Sequence, residues 1–145
     1  MTAHILLVED NLGDVRLMRE AFNNCDRKVD LHVAGDGAEA MAFLNKQGHY
    51  GDAPRPDFIV LDLNLPKLSG QGVLACIRKN QELCTIPIFI LTSSAAGEDV
   101  TQCYQLTANC YITKPVGYDQ FESLVALLAL FWLTIVTLPP YPAVV

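Results

Sequence analysis

Short apolar runs and helix-spaced apolar positions alternate along the chain from end to end. Ile5-Leu6-Leu7-Val8 is a β-like run that stops at Glu9-Asp10-Asn11, after which Val15, Met18 and Phe22 recur at helical spacing, with Asn11 or Asp14 placed to cap the start. Val29–Ala34 alternates as a strand, and Gly35-Asp36-Gly37 turns into a helix carrying Ala40, Met41 and Leu44. Phe58–Leu61 is continuously apolar, the pattern of a central strand buried on both faces. Gly70–Lys79 reads as a helix with Val73, Leu74 and Ile77 inward, and residues 86–91 as another buried strand with Pro87 near its start. A polar helix over 98–106, a short strand over Cys110–Thr113 and a last helix over 118–137 complete the pattern.

Five strand–helix units predict an α/β domain, a parallel sheet with helices on both faces, over residues 1–138. Residues 139–145 read as a proline-rich tail. The run over 124–138 is nearly all apolar, yet it is shorter than the roughly 20 residues of a membrane span, ends at Pro139-Pro140 and lacks a basic flank. It is therefore expected to be a buried helix, with no membrane contact. At 100° per residue Phe121, Leu124, Val125, Leu128, Phe131, Trp132 and Ile135 share one face, assigned to the core. The opposite side carries Leu127, Leu130 and Leu133 beside Ala126. An apolar patch of that kind predicts a homodimer through this helix, packed about a two-fold axis and aided by residues 139–141.

The length of 145 residues suits one domain, and 51% apolar against 18% charged residues supplies a core. A net charge of −6 argues against nucleic-acid binding, which needs a surplus of Lys and Arg. Five scattered cysteines without a C-x-x-C pair fit free thiols in a reducing cytoplasm, and no signal peptide is visible. His4, His32 and His49 show no metal-ligand spacing along the chain and read as structural or surface residues.

Chemistry gathers at the carboxyl ends of the strands, where open parallel sheets bind their ligands. The first strand ends in Glu9-Asp10, the third in Asp62, the fourth in Thr92-Ser93 and the fifth in Lys114-Pro115. A strand order of 2-1-3-4-5 would bring three acids into one pocket, with a hydroxyl and an ammonium on its other wall. Carboxylates so close repel by about 4 kcal/mol per pair at an intermediate dielectric, so they must take up protons or bind a cation. Hard oxygen donors favour Mg²⁺, which would make the pocket a receptor for a phosphoryl group that Asp62 could attack. No glycine-rich phosphate loop follows the first strand, which argues against Rossmann and P-loop readings.

VED at 8–10, DLNLPKLSG at 62–70, LTSS at 91–94 and YITKP at 111–115 resemble the CheY-like response-regulator receiver domains, in the family's order and over nearly the whole chain. The resemblance implies the 2-1-3-4-5 flavodoxin-like fold. It also implies Asp62 as phosphoacceptor, and Mg²⁺ held by Glu9, Asp10, Asp62 and the Asn64 carbonyl. Thr92 and Lys114 become the phosphate-sensing pair, Tyr111 the aromatic switch, and Lys114-Pro115 a cis bond. A narrower likeness, carried by EDNLGDVRLMREAF, YGDAPRPDFIVLDLNLP, NCYITKPVGYDQF and FWLTIVTLPP, points to the single-domain regulators that partner cyanobacterial phytochromes. It implies a light-sensing histidine kinase as partner and output by protein contact. The rival reading of Asp62-Leu63-Asn64 is a Mg²⁺-dependent phosphatase or phosphotransferase with an aspartyl nucleophile. In that class the nucleophile usually ends the first strand rather than the third.

Overall fold

In the computed structural model, which describes residues 2–140, the apolar runs form the centre of the sheet. Strands β1 (Ala3–Val8), β3 (Phe58–Leu61) and β4 (Ile88–Thr92) are buried almost throughout, while β2 (Val29–Ala34) and β5 (Cys110–Thr113) are half-exposed edges. All pairs are parallel, in the order β2-β1-β3-β4-β5. β4 begins at Ile88 rather than at residue 86, because Pro87 has no N–H to give the ladder. The Pro87 carbonyl still accepts from Ile59 N at 2.9 Å.

Alternation along the central strands divides their side chains between two cores. Leu6, Val8, Ile59, Leu61, Ile88 and Ile90 face α2 (Gly37–Leu44) and α3 (Gly70–Lys79), with Cys103 from α4 (Gly97–Gln105). On the other side Ile5, Leu7, Phe58, Val60, Phe89 and Leu91 meet α1 (Leu12–Asn23) and α5 (Tyr118–Leu130). Polar residues cap α1, α2 and α3: the Asn11, Asp36 and Ser69 side chains accept from the backbone N–H three residues on. At the amino-terminal end of the sheet, Arg78 ties three segments together. Its guanidinium donates to the carbonyls of Cys84 (2.8 Å), Ile86 (2.9 Å) and Thr107 (3.0 Å), and to Asn109 Oδ1 (2.8 Å).

The last helix departs from the expected wheel. Its α-helical part ends at Leu130 and a π turn, Phe131–Ile135, closes it with a bond from Val136 N to the Phe131 carbonyl at 3.0 Å. The buried row is Phe121, Val125, Ala129 and Leu133, an i, i+4 ridge packed with α1, flanked by Leu124, Leu128 and Trp132. Leu133, assigned to the outer face, is therefore only 4% exposed, and its carbonyl accepts from Arg27 Nη1 at 3.1 Å. Phe131 and Ile135, assigned to the core, lie outside at 46% and 65% exposure: Phe131 follows exposed Leu127 one α-turn on, and the π turn shifts the helical phase at Ile135. Leu127 and Leu130 stay exposed as expected. Tyr118–Ile135 is long and apolar enough to cross a membrane, but one of its faces packs on the sheet and α1. Of the expected tail, residues 141–145 lie outside the described residues.

The phase shift has a direct check. Leu133→Ala should lower the unfolding free energy by about 2–5 kcal/mol, the cost of a buried leucine. Leu130→Ala should change it by less than about 0.5 kcal/mol. Urea unfolding followed by the fluorescence of Trp132, which stacks on Phe89 with ring centroids 3.6 Å apart, measures both.

Candidate functional site

The sheet ladder continues past the strand ends and fixes the backbone of each candidate residue. Asp62 N donates to the Val8 carbonyl (3.0 Å), Glu9 N to Ala34 (3.0 Å) and Lys114 N to Thr92 (2.7 Å). Glu9, Asp10, Asp62, Asn64 and Lys114 all line one cavity of about 640 Å³ at the carboxyl end of the sheet. Ser93 lines it too, whereas Thr92 lies beneath, fully buried. Gly70 is required behind the site: a Cβ there would stand 2.2 Å from the Asp62 carbonyl oxygen, so α3 starts against the backbone of the strand end.

Lys114 organises the charges. Its ammonium is hydrogen-bonded to Glu9 Oε1, lies 2.8 Å from Asp14 Oδ2 and 3.5 Å from Asp62 Oδ2. Asp14, by sequence a candidate helix cap, leaves that job to Asn11, which accepts from Asp14 N at 3.1 Å and so frees the Asp14 carboxylate for the lysine. The signal for its role is its place in the first turn of the helix that follows Glu9-Asp10. Glu9 Oε2 accepts from the N–H groups of Asp10 (3.1 Å) and Asn11 (3.3 Å), and Asp62 Oδ1 from Leu63 N (2.7 Å).

Glu9, Asp10 and Asp62 can each present an oxygen within 4.8 Å of the others, the hard donor set of a divalent-metal site. Asp14 is a fourth carboxylate, and one ammonium cannot neutralise four. Burial is the main cause that pushes the Glu9 carboxyl up to about 7; Lys114 pulls it down, and neighbouring Asp62 pushes it up again. For Lys114, desolvation alone would lower the pKa, but its bonds to Asp14 and Glu9 outweigh that and hold it above its usual range.

Two other expectations meet different outcomes. The Lys114–Pro115 bond, expected cis, is trans, the form an X–Pro bond favours by about 0.5–1 kcal/mol when nothing selects the other. Tyr111 is half-buried; its hydroxyl donates to the Ser94 carbonyl at 2.8 Å. Ser94 Oγ in turn donates to Asp99 Oδ2 at 2.6 Å, tying β5 to the loop after β4 and to α4. The Thr92 hydroxyl is buried with no hydrogen-bond partner among the described residues.

Comparison with known proteins agrees with this geometry. The model of the response regulator receiver domain matches residues 5–126. The response regulator Rcp1 of Synechocystis is 45% identical over 135 residues, covering 93% of this chain and 92% of Rcp1. The crystal structure of the Mn²⁺-bound form of Rcp1 superposes with a TM-score of 0.93 at 44% identity, over 95% of this chain and 99% of that one. The phosphorylated cyanobacterial phytochrome response regulator RcpA gives a TM-score of 0.94 at 43% identity, over 97% and 100%.

The raised Glu9 pKa sets the sign of a pH effect. Folded Glu9 holds its proton up to about pH 7 while unfolded Glu9 loses it near its ordinary 4.5, so its contribution to metal-free stability falls as pH rises through that window. A divalent cation that took Glu9 as a ligand would have to displace that proton below pH 7. Mn²⁺ affinity by calorimetry should therefore be about tenfold weaker at pH 6 than at pH 8, and Glu9→Gln should remove most of the difference.

Proposed function

The chain belongs to the response regulator receiver family, and on that premise we propose that it takes a phosphoryl group from the phosphohistidine of a partner kinase onto Asp62. The observation that carries this reading is the posture of Asp62. Leu63 N holds Oδ1, while Oδ2 faces the Lys114 ammonium across 3.5 Å in the acidic cavity. Oδ2 forms the new O–P bond as the P–N bond to the kinase imidazole breaks, and the imidazole leaves with a proton. Asp10, Asp62, Glu9 and the Asn64 carbonyl would hold Mg²⁺, for which their all-oxygen donor set is suited. Bound there, the cation supplies positive charge to the phosphoryl oxygens.

Phosphorylation adds nearly two negative charges and strong acceptors to the cavity. Lys114 then exchanges part of its carboxylate contacts for the phosphoryl group. The Thr92 hydroxyl, buried without a partner, gains an acceptor. Thr92 stands two residues before Ser94, so its movement loosens or re-forms the Tyr111–Ser94–Asp99 chain of hydrogen bonds. This makes Thr92, Lys114 and Tyr111 the switch, read out as a change of surface around β4, α4 and β5. The likeness to RcpA, a phytochrome response regulator, supports a phytochrome-type histidine kinase as the phosphoryl donor. Five free thiols support a cytoplasmic setting. The homodimer is proposed through Leu127 and Leu130, now joined by Phe131 and Ile135 in place of the buried Leu133.

Asp62→Asn should abolish labelling by acetyl phosphate or by a phosphorylated histidine kinase while circular dichroism stays unchanged. Undiminished labelling would reject Asp62 as acceptor, and many turnovers of a small phosphoester by the unmodified chain would favour the aspartyl phosphatase instead. Light scattering should show a dimer at micromolar concentration that Leu127→Glu with Leu130→Lys converts to a monomer still able to accept phosphate. A monomeric unmodified chain would reject this interface.

A further inference from the structure

The opposite end of the sheet holds a second group of metal-ligating side chains, invisible to spacing along the chain because it spans two strands. β1 and β2 pair in the register His4↔Asp30 and Leu6↔His32, so His4, Asp30 and His32 project from one face as near neighbours. His4 Nδ1 and His32 Nε2 are 3.3 Å apart, and His4 Nδ1 is 3.8 Å from Asp30 Oδ2. One ligand atom from each of the three lies within 4.8 Å of the others.

We propose that His4, His32 and Asp30 form a binding site for a borderline divalent transition cation of the zinc class. Two imidazole nitrogens at zinc–nitrogen distances of about 2.0–2.1 Å in a tetrahedron stand about 3.3 Å apart, the separation already present here. A modest rotation of the exposed Asp30 side chain brings its oxygen from 3.8 Å into the same shell, and water completes four-fold coordination. The supports are rigid. His4 N donates to Asp57 Oδ2 at 2.8 Å and the His4 carbonyl accepts from Asp57 N at 2.6 Å, while the His32 ring packs on Phe43 with centroids 5.2 Å apart. A ring proton shared between the two imidazoles explains the contact in the metal-free chain. On binding, that proton moves to His4 Nε2 and both facing nitrogens offer lone pairs, so none is released to solvent. Imidazole nitrogen selects zinc, cobalt, nickel or copper over magnesium, whereas the all-oxygen cavity also accepts magnesium, which in large excess keeps it occupied. His4 stands five residues before Glu9 along an extended strand, about 16 Å away, so the two sites share no ligand.

Co²⁺ titration of the full chain in excess Mg²⁺, which occupies the acidic cavity, tests the site. The expected result is one equivalent bound with the visible absorption of nitrogen and oxygen coordination and without the near-ultraviolet band of a cobalt thiolate. His4→Gln and His32→Gln should each weaken binding at least tenfold, and Asp30→Asn by a smaller factor, with circular dichroism unchanged. The proposal is overturned if either histidine variant binds Co²⁺ as tightly as the unmodified chain, or if the thiolate band shows that cysteines hold the ion.

Discussion

One unequal charge balance governs the carboxyl end of this sheet: four acids, Glu9, Asp10, Asp14 and Asp62, line a cavity with the ammonium of Lys114, which pairs with all of them but Asp10. The lysine stem reaches from the edge strand β5 past β4 to acids contributed by β1, α1 and β3, so the balance exists only when the strand order is as observed. Mutual repulsion of several kcal/mol per pair makes the cavity a place where a proton, a cation or an incoming group must adjust the charge. Glu9, chiefly through its burial and further through neighbouring Asp62, holds its proton above the usual carboxylate range. The receiver chemistry follows from the same imbalance, because a cation drawn in by the acids would join Lys114 in offering positive charge to an incoming phosphoryl group.

Much of this was legible from residue order. Phe58–Leu61 and Gly70–Lys79 declare themselves because burial on both faces demands an unbroken apolar strand and an amphipathic helix needs its 3.6-residue rhythm. Glu9, Asp10, Asp62 and Lys114 were identifiable as strand-end residues, since a polar group that abruptly ends an apolar run has few structural reasons to be there. What escaped were relations that belong to three dimensions. Asp14 enters the site only because Asn11 takes the cap, leaving its carboxylate free. The pairing of His4 with His32 depends on register between strands that are far apart along the chain.

The last helix shows a different limit. A wheel drawn at a constant 100° presumes an unbroken α-helix, and the π turn over Phe131–Ile135 breaks that presumption, drawing Leu133 inward and turning Ile135 outward. Composition could not reveal this, because every position concerned is apolar. The contact that goes with the change, from Arg27 to the Leu133 carbonyl, joins residues more than a hundred positions apart. Trp132 stays on the sheet side, stacked on Phe89, so the end of the helix remains joined to the central strands despite the altered winding.

Arg78 gives the domain a mechanical polarity. By holding the loops before β4 and β5 through four hydrogen bonds, it pins both strands at their amino ends with the fixed fork of a delocalised cation. At their other ends the same strands are held by a lysine shared among acids and by one tyrosine hydroxyl on a loop carbonyl. Arg78 thus adds a side-chain clamp at the amino ends of β4 and β5, and under the proposed switch a displacement beside Asp62 would pass to the loop after β4, to α4 and to the outer edge of β5.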